Sequence, residues 1–287
     1  MKKSHFKTHL LFYVLITMLL ALIVWTIWGN TALMVNSITV SGNQIPSEFS
    51  GFRIAQISDL HNAEFGEGNS HLLNSLSESK PDMIAITGDL VDAQHTNIDV
   101  ALSFAEKAVQ IAPVYYVTGN HEASLSQYSE LKTGLEAAGV IVLEDKAIQL
   151  EHNGGIVTLM GLSDPNFTIK SNIFDEVPAM ISTKLNDLME NKVGYTILLS
   201  HRPELFDTYV SCGVDLVLSG HAHGGQFRLP LIGGLVAPNQ GFFPKYDAGL
   251  YSDGGTNMVV SRGLGNSIIP LRFNNRPEIV LVELTAD

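Results

Sequence analysis

Short apolar runs alternate with longer stretches of helical spacing, and this alternation constrains the fold of the 287-residue chain more than any other feature. The runs predict strands at residues 53–58, 83–87, 114–118, 156–160, 195–199, 215–218, 258–261 and 279–282. The stretches between them predict helices at residues 71–79, 99–109, 125–138, 177–190 and 203–209, with further short strands near 140–143 and 147–150. Together they predict one α/β domain over residues 51–287, because strands that alternate with helices pack as βα units around a sheet.

Polar residues able to bind a metal or a substrate follow five of the predicted strands, at the point where each strand ends. They are Asp59, His61, Asp89, Asn120, His121, Glu122, His201, His221 and His223. Open α/β sheets bind ligands at this edge, so we expect these side chains to meet in one site. Asp59 and His61 are two residues apart, as are His221 and His223, a spacing that puts both members on one side of an extended backbone.

The donor types indicate which ions such a site would bind. Carboxylate, imidazole and amide oxygen together suit divalent Mn, Fe, Zn or similar ions, and the lack of thiolate argues against a structural zinc site. A single His or Gly-Asp pair is usually structural, but the joint order of the clusters makes coincidence improbable. Glycines at positions 88, 119 and 220 are expected to allow sharp turns and to leave room for a phosphate and two ions.

The clusters D-x-H, G-D, G-N-H-[DE], H and G-H-x-H, in that order, resemble the signature of the calcineurin-like metallophosphoesterase superfamily. The resemblance covers most of the chain after Gly51. The segments at 58–61, 220–226 and 261–265 are similar to its bacterial membrane-associated or exported branch, which includes phosphodiesterases and hydrolases of the UDP-diacylglucosamine pyrophosphate type. The resemblance implies an α/β fold in the form of a four-layer αββα sandwich of two mixed β-sheets.

The resemblance also implies a role for each matched residue. One divalent metal ion would be bound by Asp59, His61 and His223, the other by Asn120, His201 and His221, and Asp89 would bridge the two. His121 would stabilise the transition state or protonate the leaving oxygen, and Glu122 would orient His121. A hydroxide shared by the two metals would attack the phosphorus in line, without a nucleophile from the protein.

Residues 10–28 carry no charge, Gly or Pro, and their number is close to the ~20 residues that a helix needs to cross a bilayer. Lys2, Lys3 and Lys7 precede them, and the next basic residue is Arg53, so the positive-inside rule places the amino terminus in the cytoplasm. A cleaved signal peptide is the alternative, but no convincing Ala-x-Ala site follows. We expect a cytoplasmic tip and transmembrane anchor at 1–30, a linker at 31–50 and an extracytoplasmic domain at 51–287.

The charge of the chain bears on its partners. With 17 basic and 29 acidic residues the formal net charge is -12, and an acidic surface repels a nucleic-acid backbone, so no nucleic-acid partner is expected. A small or lipid-held phosphoester stays compatible, because bound cations reverse the field locally. The single cysteine, Cys212, excludes an internal disulfide, and its apolar neighbours favour a buried structural role.

Residues 226–251 are long, rich in Gly and Pro, and more apolar than a solvated loop. Because this segment begins next to His223, we expect it to form a wall or lid of the cleft, a pair of short hairpins, or both. A rim suited to a lipid-linked substrate would come from Leu229, Leu231, Ile232, Leu235, Phe242 and Phe243. Arg228 and Arg262 are candidates for substrate binding, with Arg272 a further cation in this half and surface salt bridges the alternative.

The sequence therefore predicts a membrane-anchored, two-metal-dependent phosphoesterase acting on a phosphodiester or related phosphoester. A nucleotide-lipid pyrophosphatase is the alternative within this class. A non-catalytic metal-binding envelope module is the alternative outside it, although a degenerate enzyme usually loses ligands and this chain keeps every matched one.

Overall fold

The computed structural model describes residues 2–169, 176–266 and 269–287, apart from the side chains of residues 2–8. The side chains of Lys2, Lys3 and Lys7 therefore lie outside this description. Helix α1, Lys2–Thr31, contains an apolar stretch, His9–Thr31, with a mean hydropathy of 2.6 that is not buried inside the protein. By length and composition this helix can cross a membrane, as the sequence predicted.

The remaining elements alternate much as the apolar runs predicted. The helices are α2 Ser70–Ser79, α3 Ile98–Ala108, α4 Asn120–Ser124, α5 Tyr128–Ala137, α6 Val177–Met189 and α7 Phe206–Ser211. The strands are β1 Met34–Gly42, β2 Arg53–Ile57, β3 Met83–Thr87, β4 Val114–Val117, β5 Ile141–Val142, β6 Lys146–His152, β7 Gly155–Gly161, β8 Thr196–Leu199, β9 Leu216–Ser219, β10 Arg228–Leu229, β11 Gly233–Gly234, β12 Val236–Ala237, β13 Gly241–Phe242, β14 Gly249–Asp253, β15 Thr256–Val260 and β16 Glu278–Ala286. All the predicted strands and helices are present with shifted ends, whereas β1, α4 and β14 were not predicted.

Two six-stranded mixed sheets form the body of the protein. The first has the order β1-β16-β2-β3-β4-β5, in which β2 to β5 are parallel and β16 is antiparallel to β2. The second has the order β14-β15-β9-β8-β7-β6, in which β15, β9, β8 and β7 are parallel and both edge strands are antiparallel to their neighbours. The hairpins β10–β11 and β12–β13 stand apart from both sheets, which agrees with the hairpin expectation for residues 226–251.

Three apolar cores separate the layers. Between the sheets, Ile54 of β2 and Leu199 of β8 belong to one buried cluster. Leu76 of α2 and Phe104 of α3 pack on the outer face of the first sheet, and Phe206 of α7 packs on the outer face of the second. The layer order of helix, sheet, sheet and helix confirms the predicted four-layer αββα sandwich.

The predicted linker at residues 31–50 differs from the structure, because residues 34–42 form the edge strand β1. It pairs in parallel with β16, with Met34 opposite Glu278 and Gly42 opposite Ala286. Exposed and less exposed residues alternate along it, as expected of an edge strand with one solvated face. The outward-facing Ser37, Thr39 and Ser41 interrupt the apolar run, so the sequence looks like a polar linker.

Candidate metal centre

Five loops bring the predicted site residues to one edge of the sandwich. The loops follow β2, β3, β4, β8 and β9, and these strands are parallel within their sheets, so their carboxyl ends lie at a common edge. There the structure brings together Asp59, His61, Asp89, Asn120, His121, His201, His221 and His223.

The paired ligands converge through turns, and the extended backbone expected from their spacing is wrong. Asp59 and His61 have φ values of 52° and 46°, and His221 and His223 have values of 66° and 48°. Such values are uncommon outside Gly, and here long-range hydrogen bonds hold them. The N–H groups of Asp59 and His61 donate to the carbonyls of Gly88 and Asp89 at 3.0 Å. The N–H of His221 donates to the Asp59 carboxylate at 3.1 Å, which joins the loops of the two sheets.

Asp59, His61 and His223 form the first group of potential metal ligands, and all three are buried. Nε2 of His61 lies 3.3 Å from Nε2 of His223, which lies 3.4 Å from Oδ1 of Asp59. Two neutral imidazoles cannot satisfy each other and a carboxylate at once, whereas a cation satisfies all three atoms. Donor atoms ~2.0–2.1 Å from a tetrahedral ion are about 3.3 Å apart, so this spacing fits one divalent ion.

Asp89, His201 and His221 form the second group. Nε2 of His201 lies 3.2 Å from Oδ2 of Asp89, 3.2 Å from Oδ1 of Asn120 and 3.1 Å from Nδ1 of His221. The same Oδ2 of Asp89 lies 3.7 Å from Nε2 of His61 in the first group. One carboxylate oxygen therefore faces both groups, which is the position of a ligand shared by two ions.

The protonation of the histidines suits this arrangement. Burial lowers the pKa of His61, His221 and His223, so these rings are neutral at pH 7 and offer a lone pair without first losing a proton. Burial also lowers the pKa of His201, but the Asp89 carboxylate outweighs it and raises that pKa to about 10. Nδ1 of His201 donates to the Thr87 carbonyl at 2.7 Å, which directs Nε2 toward Asp89. A divalent ion bound there would replace the proton on Nε2.

Gly88 and Gly220 make room for the loops that carry the ligands. The space beside each glycine, where the sequence suggested a phosphate, is occupied by atoms of a neighbouring loop. A Cβ on Gly88 would lie 2.7 Å from the Gly119 nitrogen and 2.7 Å from Nδ1 of His201, and its φ of 92° favours glycine. A Cβ on Gly220 would overlap Oγ of Ser58. Both positions allow loops of different strands to approach closely.

His121 lies in the first turn of α4 and lines the cleft beside the two groups. Its Nδ1 accepts a hydrogen bond from the Ala93 N–H at 3.0 Å, and Oδ1 of Asp92 lies 3.8 Å from the same nitrogen. A neutral imidazole that accepts at Nδ1 carries its proton at Nε2. Sequence reasoning missed Asp92, although its position three residues after Asp89, in the same loop, was an available signal.

Glu122 bonds the backbone at the start of the helix that carries His121, and the role in orienting His121 that the resemblance implied stays a prediction. Its buried carboxylate accepts from the N–H groups of Asp89 and Leu90 at 2.8 Å and of Gly119 at 2.7 Å. These bonds join the loop after β3 to the start of α4. Burial, followed by the charge of Asp89, raises the pKa of Glu122 to about 8.

The comparison with known proteins identifies the family. Residues 52–225 match the calcineurin-like phosphoesterase family. The chain belongs to this family. Its members use a dinuclear divalent metal centre, and the two clustered ligand groups could bind such ions, so this phosphoesterase is a metal-dependent phosphoester hydrolase. The predicted enzyme class and divalent cofactor are thereby confirmed.

Several curated proteins are similar to this phosphoesterase over most of its length. An uncharacterized metallophosphoesterase of Bacillus subtilis, YkuE, is 30% identical over 86% of this chain and 83% of its own. The phosphodiesterase YaeI of Escherichia coli is 29% identical over 81% of this chain and 82% of its own. A transmembrane protein with a metallophosphoesterase domain from Danio rerio is 30% identical over 84% of this chain and 55% of its own.

A solved structure shares the fold. TT1561 of Thermus thermophilus superposes with a TM-score of 0.52 at 15% identity, covering 75% of this chain and 91% of that chain. At this identity the likeness concerns the fold alone.

This phosphoesterase surrounds the outer side of His221 with polar residues that sequence reasoning missed. Nη1 of the buried Arg202 lies 2.9 Å from Nε2 of His221, and Arg202 forms a buried ion pair with Asp164 at 2.5 Å. Nδ2 of Asn239 lies 3.2 Å from the same imidazole nitrogen. Arg202 directly follows His201, which was a local signal, whereas Asp164 and Asn239 arrive from distant loops.

The arginines predicted to bind substrate have carboxylate partners. Nη1 of Arg228 lies 3.0 Å from Oδ2 of Asp247, and Nε of Arg262 lies 3.6 Å from Oε2 of Glu278. The third cation, Arg272, is buried, and its Nη2 lies 3.4 Å from Nδ1 of His223. Among the described residues, the lining of the cleft includes none of the three arginines.

The cleft beside the ligand groups has a volume of about 300 Å³ and one apolar wall. Val236, Ala237, Pro238 and Ile269 form this wall opposite the polar residues. Segment 226–251 therefore contributes to the cleft as expected, but through residues other than those named for the rim. The larger apolar side chains of the segment, such as Leu231 and Phe242, are exposed to solvent.

Proposed function

We propose that this phosphoesterase hydrolyses a phosphodiester, or a related phosphoester, of a lipid-linked molecule with the help of two divalent ions. In the proposal the first ion is bound by Asp59, His61 and His223, the second by Asn120, His201 and His221, and both by Asp89. The main support is that buried ligand atoms of each group lie 3.1–3.4 Å apart and that one Asp89 oxygen faces both groups. Ions bound there would lower the pKa of a bound water and neutralise phosphoryl oxygens.

In this proposal His121 stabilises the leaving oxygen. Because Nδ1 accepts from the Ala93 N–H, the neutral ring carries its proton on Nε2. Nε2–H then donates a hydrogen bond to the leaving oxygen as negative charge develops on it, while water forms the new bond to phosphorus. Oδ1 of Asp92 accepts from the N–H groups of Gln94 and His95 and so holds the turn that carries Ala93, while solvent supplies the final proton to the released alcohol.

Two observations support a lipid-linked diester. The E. coli relative is named a phosphodiesterase. The cleft wall is also connected to the candidate membrane helix. Ile269 of the wall lies close in sequence to Arg272, and Arg272 bonds to the end of α1. The side chain of Asn30, near the end of α1, bonds both the N–H and the carbonyl of Arg272 at 2.8 Å. A nucleotide-lipid pyrophosphatase would use the same site with a different leaving group.

We further propose a single-pass protein of the cell membrane, with its amino terminus in the cytoplasm and its catalytic domain outside. The lysines before the apolar stretch support this orientation. Retention of the helix is supported by contacts at its end, since Arg276 bonds the carbonyls of Ala32 and Leu33 at 2.8 Å and lies over the ring of Trp28. A reporter enzyme fused after residue 287 tests the orientation. If a reporter that works only in the cytoplasm is active there, the proposed orientation is reversed.

The activity is tested with the full-length protein in detergent, loaded with Mn. The substrates are bis-para-nitrophenyl phosphate, its mono-ester, phosphatidylglycerol and the deacylated glycerophosphodiester with the same headgroup. We expect diester cleavage that Asp89→Asn abolishes together with metal binding, while Asp99→Asn, an exposed control on α3, retains both.

The four substrates separate the alternatives. Faster cleavage of phosphatidylglycerol than of its deacylated counterpart supports the lipid-linked substrate, and equal cleavage refutes it. A metal-loaded protein that cleaves none of the four refutes the diesterase and leaves the pyrophosphatase and the non-catalytic module.

A further inference from the structure

Four large apolar side chains in two neighbouring hairpins are exposed. Leu231 and Ile232 lie in the turn that connects β10 to β11, and Phe242 and Phe243 lie at the open end of the β12–β13 hairpin, away from its turn. The exposed fractions are 108% for Leu231, 80% for Phe242 and 65% for Phe243. We call these four residues the apolar crest. Large apolar side chains that stay exposed within one short segment of a folded protein are candidates for binding another apolar surface.

The backbone conformation of the crest indicates that its large side chains do not serve to stabilise the fold. Leu231 has a φ of 69° and Phe243 a φ of 55°, a left-handed conformation that is unfavourable for large side chains. Neither side chain is buried, so packing within the domain does not compensate for this conformation. Strain of this kind persists where a functional contact requires the geometry.

The charge around the crest selects the type of partner. Residues 229–244 contain no charged side chain, although the whole chain has 17 basic and 29 acidic residues. The first charged residue after this segment is Lys245, whose exposed side chain lies 3.5 Å from the exposed Asp207 carboxylate. A long uncharged apolar segment in an otherwise acidic protein suits an interface with the apolar part of a bilayer.

The crest is also connected to the base of the candidate membrane helix. The segment around residues 271–274 bonds to Asn30 of α1 through Arg272 on one side. On the other side it bonds to the first hairpin, since the Arg228 N–H donates to the Phe273 carbonyl at 3.0 Å. The second hairpin continues from the first through Leu235, whose N–H donates to the Phe227 carbonyl at 2.9 Å and whose carbonyl accepts from the Phe243 N–H at 2.8 Å. Helix base, cleft wall and crest thus form one hydrogen-bonded unit.

We infer that the apolar crest docks on the surface of the bilayer that α1 crosses, as a second point of membrane attachment. This inference rests on the proposed membrane-anchored function and extends it. With α1 and the crest both at the bilayer, the Ile269 wall of the cleft faces the lipid surface. The phosphoester of a lipid would then enter the cleft sideways while its acyl chains stay in the membrane.

Docking is tested by placing a fluorescent label at single cysteines of the full-length protein. In a Cys212→Ser background, Leu231→Cys and Phe242→Cys carry a bimane label, and Ile141→Cys and Val193→Cys serve as exposed controls away from the crest. The proteins are reconstituted in liposomes of phosphatidylethanolamine and phosphatidylglycerol that contain brominated phosphatidylcholine. We expect a blue shift and strong loss of fluorescence at positions 231 and 242 and neither effect at 141 and 193. Equal quenching at all four positions, or at none, would overturn the inference.

A functional measurement separates this inference from the proposed function. Leu231→Ser and Phe242→Ser should lower hydrolysis of a lipid diester in liposomes several-fold and leave turnover of bis-para-nitrophenyl phosphate unchanged. Ile141→Ser and Val193→Ser should change neither. Equal lipid turnover in all four variants would overturn the role of the crest. If the wild type cleaves no lipid, the proposed substrate fails, and the quenching result still decides whether the crest docks.

Discussion

The two ends of the sandwich both contain polar cavities, and the smaller one holds the candidate site. At the carboxyl ends of the parallel strands, the cleft beside Asp89 and His223 has a volume of about 300 Å³. At their amino ends, a cavity of about 630 Å³ is lined by residues 41–44, Tyr195, Asp215 and residues 252–257. Cavity size alone would therefore select the wrong end.

The difference lies in whether the polar atoms satisfy one another. At the larger cavity, Oδ2 of Asp215 accepts from both the N–H and the hydroxyl of Thr196 at 2.7–2.8 Å. At the cleft, Nε2 of His223 lies beside both Nε2 of His61 and Oδ1 of Asp59, and a neutral imidazole has at most one proton there to share between them. Buried polar atoms that lack enough protons to hydrogen-bond one another indicate a metal site, because a cation can bind them all. Buried polar atoms that hydrogen-bond one another stabilise the fold.

Among the substitutions that test the comparison between the two ends of the sandwich, the largest effect is expected at His121. Replacing His121 with Ala removes a hydrogen-bond donor to the leaving oxygen but no proposed metal ligand, so kcat should fall roughly 10²–10³-fold with metal content unchanged. The loss should be greater for a diester with an alkyl leaving group than for an aryl diester, because an alkoxide carries more charge. Asp92→Asn should show a smaller loss with the same dependence on the leaving group. Equal losses for both leaving groups would refute the proposed role of His121.

An intermediate effect is expected at Glu122. Both of its carboxylate oxygens accept backbone N–H groups, so Glu122→Gln turns an amide N–H₂ toward donors and should cost about 1–3 kcal/mol of unfolding free energy. Chemical denaturation measures this cost, with the exposed Glu151→Gln as a matched control. Stability equal to that of the control would mean that the loops carrying Asp89 and His121 do not depend on this carboxylate.

The smallest effect is expected at the larger cavity. Oη of Tyr195 is buried without a hydrogen-bond partner among the described residues, so Tyr195→Phe removes an unsatisfied group and should leave stability unchanged or higher. Metal content and hydrolysis rates should equal those of the wild type. A marked loss of activity would break the comparison, since it would give the amino-terminal end of the strands a catalytic role.

Much of the fold could be predicted because its signals are local. A run such as Met83–Thr87 has four apolar residues before its final Thr and becomes the central strand β3, buried along its whole length. By contrast, β1 escaped prediction because the strand that it pairs with, β16, lies far away in sequence and because most of its outward residues are polar. The site was predicted only in part for the same reason. Asp89 and His201 directly follow predicted strands, which is a local signal, whereas Asp164 reaches the site only through the fold.

The sequence by itself determined the family, the βα alternation, the apolar helix and the types of donor available, because these depend on residue identity and spacing. Only the tertiary structure decided how the donors meet. The left-handed turns at Asp59 and His221 depend on hydrogen bonds between loops of different strands. The backbone role of Glu122, the Arg202–Asp164 pair and the exposed crest likewise depend on segments distant in sequence, whose approach only the packed sheets establish.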